Sequence, residues 1–161
     1  MSGGTPATVA LDQAGVSYTL HSYEHDPRSQ SYGLEAARAL GLEPLQVFKT
    51  LVVDSGGTGR PHLAVAVVPV SSQLDLGNCA AALGVKRVAL ADPVVAGRST
   101  GYVLGGISPL GQKNPLPTVI DETAQLWDAI YVSAGKRGLS VGLDPADLGR
   151  LTSATFADIA R

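Results

Sequence analysis

Residues 47–54, Val47-Phe48-Lys49-Thr50-Leu51-Val52-Val53-Asp54, lead through Ser55-Gly56-Gly57-Thr58-Gly59 into His62-Leu63-Ala64-Val65-Ala66-Val67-Val68-Pro69-Val70. Two apolar, β-branched runs flank a turn-forming cluster, which reads as a hairpin with a loop longer than two residues. In the first run Val47, Lys49, Leu51 and Val53 share one face, and Phe48, Thr50 and Val52 the other, because side chains alternate along a strand. A lysine on an otherwise aliphatic face needs a reason, since burying an ammonium without partners is costly. Two readings stay open. Lys49 is an edge-strand lysine that snorkels to water and blunts aggregation, or it is a cation at the mouth of a pocket, placed to hold a carbonyl or a phosphate.

Outward from this hairpin the pattern is mixed. Towards the N-terminus, residues 1–4 read as a flexible tip. Thr5 caps a helix with Pro6 at its first position and Gly15 at its end. Residues 17–23 alternate as a strand, and Ser31 caps a helix over 32–40 that Gly41 stops. Beyond the hairpin, 74–83 reads as helix, 85–90 as a short strand and 93–97 as a short helix behind Asp92. Strands are expected over 118–121, 129–133, 140–143 and 155–159, with a helix from Asp144-Pro145 before the last. Residues 99–117 hold too many Gly and Pro for a regular element throughout. Hairpins without regular strand–helix alternation favour an α+β fold over a doubly wound parallel sheet. The expectation is one domain over 5–161, with a curved, mixed and largely antiparallel sheet flanked by helices.

Composition closes off several functions. The chain has 161 residues and a net charge of −2, which argues against a general basic coat for DNA, RNA or anionic lipid. Its longest clean apolar run, residues 63–70, falls far short of the roughly 18–20 residues that span a bilayer. The first residues form no signal peptide, and a single Cys gives no disulfide framework, so a cytoplasmic location is expected. His21, His25 and His62 complete no zinc site with Cys79, and neither a metal nor a cofactor is expected. There is no Gly-x-Ser-x-Gly elbow, and Cys79 on a small-residue helix reads as a buried structural thiol.

Two further segments draw attention. In Gly101-Tyr102-Val103-Leu104-Gly105-Gly106-Ile107-Ser108-Pro109-Leu110-Gly111-Gln112-Lys113, a bend at the glycine pair would turn backbone N–H groups towards an anion or an oxyanion. The intervals fit neither a Walker A loop nor a dinucleotide fingerprint, and a plain connecting loop is the alternative. In Tyr131-Val132-Ser133-Ala134-Gly135-Lys136-Arg137-Gly138-Leu139 a strand runs into a basic, glycine-flanked turn. There Ser133 has a hydrogen bond to offer, and Lys136 and Arg137 suit phosphate. A solvated hairpin turn is the alternative.

Taken in order, Tyr23-Glu24-His25-Asp26-Pro27, the Lys49 strand, residues 62–67, Ala91-Asp92-Pro93, the 99–113 loop and the 131–139 turn resemble the YbaK/EbsC family of aminoacyl-tRNA deacylases. The resemblance spans about residues 5–160. It implies the α+β fold shared with the editing domain of bacterial prolyl-tRNA synthetases. It also implies an ester hydrolase that removes cysteine misattached to proline tRNA, by attack of the substrate's own thiol, with cyclic thioester formation giving the step a lyase-like character. Lys49 then matches the family's essential lysine, and the Gly105, Gly106 and Ile107 N–H groups would hold the oxyanion or the terminal adenosine. Tyr23, Tyr32, Thr50, Ser108, Ser133 and Gly135 would bind substrate. Arg98, Lys113, Lys136 and Arg137 would meet tRNA phosphates. The implied partners are the acceptor end of mischarged tRNA(Pro) and, transiently, prolyl-tRNA synthetase. Relatives often carry Asp after Lys-Arg-Gly-Leu, whereas Ser140 stands here. Other readings are a deacylase for alanine or another small residue, and a non-catalytic binder of aminoacyl-tRNA.

Overall fold

The hairpin forms as its sequence suggests. In the computed structural model, which describes residues 4–161 apart from 30 and 58, β2 (Phe48–Asp54) pairs antiparallel with β3 (Leu63–Pro69), setting Lys49 opposite Val68 and Val53 opposite Ala64. Asp54 closes the connection by accepting the N–H groups of Gly56 (2.7 Å) and His62 (3.0 Å), which hold its carboxyl below the usual range. Thr58 of this turn, and residues 1–3 of the expected flexible tip, lie outside the described residues.

Around the hairpin a five-stranded sheet is laid down in the order β4 (Ala89–Leu90), β2, β3, β5 (Thr118–Asp121), β8 (Thr155–Ala157). The β2 pairings are antiparallel, while β3–β5 and β5–β8 are parallel. β3 has a strand on either side and a core on either face, so it is apolar almost throughout. Phe48, Val52, Val65, Val67 and Ile120 meet Leu11, Ile130, Val132, Val141 and Leu148 in one core. Val53, Ala66, Val68 and Val119 meet Cys79 and Ile159 in a second. Ala37, Val47 and Val70 make a small third one under α2 (Tyr32–Leu40).

The single curved sheet expected from the sequence is resolved into two. β1 (Thr19–Ser22), β7 (Leu139–Leu143) and β6 (Ile130–Lys136) form a separate antiparallel sheet in the order β1-β7-β6. A parallel bridge between Val47 and Tyr131 joins it to β2, supported by a bond from Gln46 Nε2 to the Ala129 carbonyl (2.9 Å). The helices are α1 (Pro6–Ala14), α2, α3 (Leu76–Leu83), α4 (Pro93–Thr100) and α5 (Pro145–Thr152). Thr5, Asp92 and Asp144 cap theirs with side-chain oxygens, with proline at the helix start.

Some local expectations need correction. Ser31 precedes α2 but makes no side-chain cap bond. α3 starts after Asp75, because Leu74 is held in a bridge to Ala160. α4 runs three residues past Gly97, where the Thr100 hydroxyl donates to the Ala96 carbonyl (2.8 Å). The strand expected over 85–90 shrinks to two residues and that over 155–159 to three. A 3-10 turn, Glu122–Leu126, follows β5 unannounced, capped by Asp121. The buried Asp121 carboxylate also accepts the Ile159 and Ala160 N–H groups, which pins the last residues to the sheet.

Candidate active site

A cleft of about 400 Å³ opens where β2 is least covered. β4 pairs with β2 only at Val53 and Asp54, and the bridge to β6 lies at Val47. Between these points the edge of β2 is open, and the cleft wraps it, so that Lys49 and Thr50 both line it from opposite faces of the strand. The first turn of α2 closes the cleft from above. It approaches this closely only because residue 33 is glycine: a Cβ there would sit 2.3 Å from Val70 Cγ1 and 3.9 Å from Lys49 Cβ.

Lys49 is half-buried. Burial pushes its amine below 10.5, and among the described residues no carboxylate lies within 4.0 Å to offset this. The neighbouring Thr50 hydroxyl is buried without a hydrogen-bond partner among the described residues. Two polar groups in one cleft are thus unmatched by the protein itself. An unmatched buried polar group is costly, and a ligand that satisfies it recovers that loss.

The opposite wall comes from the glycine-paired loop and the basic turn, which pack on each other. Tyr32 of α2 lies under the Arg137 guanidinium, 4.5 Å from Cζ to ring centroid, and Arg137 Nε donates to the Leu104 carbonyl (3.0 Å). Gly105 has φ +87, and a side chain there would strike Tyr32 and Arg137. On the far side of Tyr32 stands His25, ring to ring at 5.7 Å. His25 Nδ1 pairs with Glu35 Oε1 at 2.7 Å, and Glu35 Oε2 accepts the Asp26 N–H at 2.9 Å. Glu35 thereby ties the segment carrying Tyr23 to α2. The Tyr23 phenol is raised above 10.0, chiefly by burial and further by Glu35, against an opposing bond from Gly138.

Of the residues singled out in the sequence, Lys49, Gly105, Ile107, Tyr23, Tyr32, Thr50, Ser133 and Lys136 line this cleft, with Arg137 stacked at its rim. No hydrogen bond is found for the Gly105 and Ile107 N–H groups among the described residues. Gly106 is different: its N–H donates to the Val103 carbonyl (2.9 Å), and it packs on the Lys136 backbone. Gly106 is therefore withdrawn as an oxyanion donor.

Ser108 is withdrawn as a substrate contact, because it is fully buried and its Oγ accepts the Leu110 N–H at 3.2 Å. Gly135 packs against Tyr102 and Thr5, away from the cleft. Both belong to the scaffold of the loop, which Tyr102 anchors by donating to the Leu110 carbonyl at 2.6 Å; burial pushes that phenol up to about 12. Arg98, on α4, and Lys113 are exposed and neither lines the cleft.

Sequence reasoning missed the His25–Glu35 pair. His25 is weighed in the sequence only as a metal ligand beside His21, His62 and Cys79, while its partner lies ten residues on, in the first turn of a helix. Gly33 also went unremarked, since nothing in the sequence marks a glycine inside a helix as a point of contact with a strand.

Fold and cleft define an α+β domain whose cleft is cationic and, among the described residues, lined by no histidine or carboxylate to serve as a base. The sequence model described as the aminoacyl-tRNA editing domain matches residues 29–151, and the chain belongs to that family. It is 43% identical over 123 residues to "Putative Cys-tRNA(Pro)/Cys-tRNA(Cys) deacylase EbsC" of Enterococcus faecalis (strain ATCC 700802 / V583), covering 76% of this chain and 73% of that protein. Among solved structures it superposes on "a putative trans-editing enzyme for prolyl tRNA synthetase" with a TM-score of 0.81 and 27% identity, over 97% of this chain and 95% of the other. It shares its fold with the hypothetical protein APE2540 at a TM-score of 0.80 and 24% identity, over 94% and 96%.

Proposed function

We propose that residues 5–161 act as one trans-editing deacylase that hydrolyses cysteinyl-tRNA(Pro). The observation that carries this reading is a cleft with a cation and N–H donors but, among the described residues, no hydroxyl or thiol paired with a histidine or carboxylate to activate it. Its aliphatic hydroxyls, at Ser31, Thr50, Ser133 and Ser140, have no histidine beside them among the described lining residues. Cys79 is fully buried in a different core, where burial raises its thiol above 9.0. The similarity to a protein named as a deacylase for this kind of ester supports the same reading.

The attacking group then comes from the substrate. The cysteine thiol gives its proton to water and attacks its own ester carbonyl as the thiolate; a C–S bond forms, the carbonyl–ribose C–O bond breaks, and the departing ribose oxygen takes a proton back from water. The products are tRNA with a free terminal hydroxyl and a small cyclic thioester, which water opens to cysteine. Holding the reacting atoms in line is worth up to about 7–11 kcal/mol in well-oriented intramolecular reactions. The Gly105 and Ile107 N–H groups stabilise the oxyanion, which is the largest electrostatic contribution open to this site. Lys49 holds the terminal phosphate or the carbonyl as a cation, and Tyr23, Tyr32, Thr50 and Ser133 shape the pocket.

With a net charge of −2 and few cations near the cleft, the protein has little general grip on RNA. Lys136 and Arg137 supply a local phosphate contact, with Arg98 and Lys113 further out. tRNA identity is therefore contributed by prolyl-tRNA synthetase in a transient complex in the cytoplasm. The test is a deacylation panel over cysteinyl-, alanyl- and prolyl-tRNA(Pro), with and without the synthetase. Selective release of cysteine, faster with the synthetase present, is expected. Equal rates for cysteine and alanine would point to a general small-residue deacylase, and binding without turnover to a non-catalytic binder; either would overturn the reading.

A further inference from the structure

The cleft carries positive charge and no carboxylate. Lys49 and Lys136 line it and Arg137 stands at its rim, while among the described residues no Asp or Glu lines it. Glu35 is near enough to raise the Tyr23 phenol. Both Glu35 oxygens are already held, one by His25 and one by the Asp26 N–H, and the carboxylate contributes nothing to the lining. Ser140 sits on β7 opposite Ser133 and is 4% exposed, so a neutral side chain occupies this buried stretch of wall.

With Lys49, Lys136 and Arg137 given over to phosphate, an aminoacyl ester entering as a cation would bring its α-ammonium to a wall that offers, among the described residues, no carboxylate to receive it. Partial burial without an opposite charge disfavours the protonated form. Resting on the deacylase reading above, we propose that this cleft recognises the acyl group without an α-ammonium, so that N-acylated aminoacyl esters are substrates on a par with those bearing a free amine. Ser140 is the specificity-determining position: its neutrality keeps the wall free of the negative charge that would select a cation. The substrate class thus extends to esters whose nitrogen is an amide, provided the side chain still carries the thiol.

The experiment compares cysteinyl-tRNA(Pro) with N-acetylcysteinyl-tRNA(Pro) as a ratio of rates, in which the shared ionisation of the thiol largely cancels. The wild-type protein should hydrolyse the two within about threefold of each other at pH 8, where much of the free amine is already neutral. The ratio should move in favour of the acetylated ester at pH 6. Ser140→Asp should shift the ratio towards the free amine by about tenfold or more. Ser140→Asn, similar in shape but neutral, should keep the wild-type ratio, which separates charge from fit at a buried position. If Ser140→Asp fails to fold, the wild-type ratio decides alone. Cleavage of only the free-amine ester overturns this inference and leaves the deacylase reading standing; cleavage of neither overturns both.

Discussion

Lys49 and Val53 lie on the same strand and the same face, four residues apart, and meet opposite surroundings. Val53 is fully buried, paired with β3 on one side and β4 on the other and packed in the core that includes Cys79. Lys49 has β3 on one side, an open edge on the other and α2 above. One strand thus serves as core at one end and as the wall of a cleft at the other. What separates them is the brevity of β4, whose two residues stop short of the Lys49 end. Where the sheet is completed, a side chain contributes to stability; where it is left open, a charged one is tolerated at a cost and becomes available to a ligand.

The widest separation is expected in activity. Lys49→Ala should lower kcat/KM for cysteinyl-tRNA(Pro) by about a hundredfold to a thousandfold, the range for loss of one preorganised electrostatic contact, with circular dichroism unchanged. Val53→Ala should do the reverse. It removes two buried methyl groups and should lower unfolding free energy by about 2 kcal/mol in denaturant titrations, while activity per folded molecule stays as it was. If the two variants behaved alike, the division of β2 would be wrong.

A smaller effect tests the cost of the lysine. Its folded-state amine lies below 10.5, so at neutral pH the folded protein carries a buried charge that the unfolded chain does not. Between the lowered folded value and 10.5 the folded state has lost its proton and the unfolded state has kept it, so stability from this group rises with pH there. Lys49→Met should therefore raise Tm at pH 7, and its advantage should narrow as pH climbs towards 10.5. A constant advantage at all pH values would show that burial of charge is not the cause. The smallest effect is on catalysis by Cys79→Ala: turnover of cysteinyl-tRNA(Pro) should be unchanged within about twofold, because an inert buried thiol takes no part in the chemistry.

Much of this was legible in the sequence where the signal is local. Alternation around Lys49, the Thr5-Pro6, Asp92-Pro93 and Asp144-Pro145 helix starts, and the irregular stretch expected over 99–117, all but its first two residues, follow from backbone preferences that need no tertiary context. The sheet order did not follow, because β3 pairs parallel with β5 about fifty residues on, and nothing in either strand names its partner. At the site, residue types identified candidates but not directions. Gly106 looks no different from Gly105 in sequence, and nothing there marks the Ser108 hydroxyl as taken up within the loop. Only the fold shows that these two are occupied, while no hydrogen bond is found for the Gly105 and Ile107 N–H groups among the described residues. The His25–Glu35 pair was invisible for the same reason, being a contact between a loop and a helix.

The claim that the cleft supplies no nucleophile is tested most directly by comparing cysteinyl-tRNA(Pro) with seryl-tRNA(Pro), which differ by one sulfur-for-oxygen exchange. Only the thiol forms an appreciable anion near neutral pH, so single-turnover deacylation should be at least about a hundredfold faster for the cysteine ester. Equal rates for the two esters would contradict the account, because the attacking group would then have to come from water or the protein.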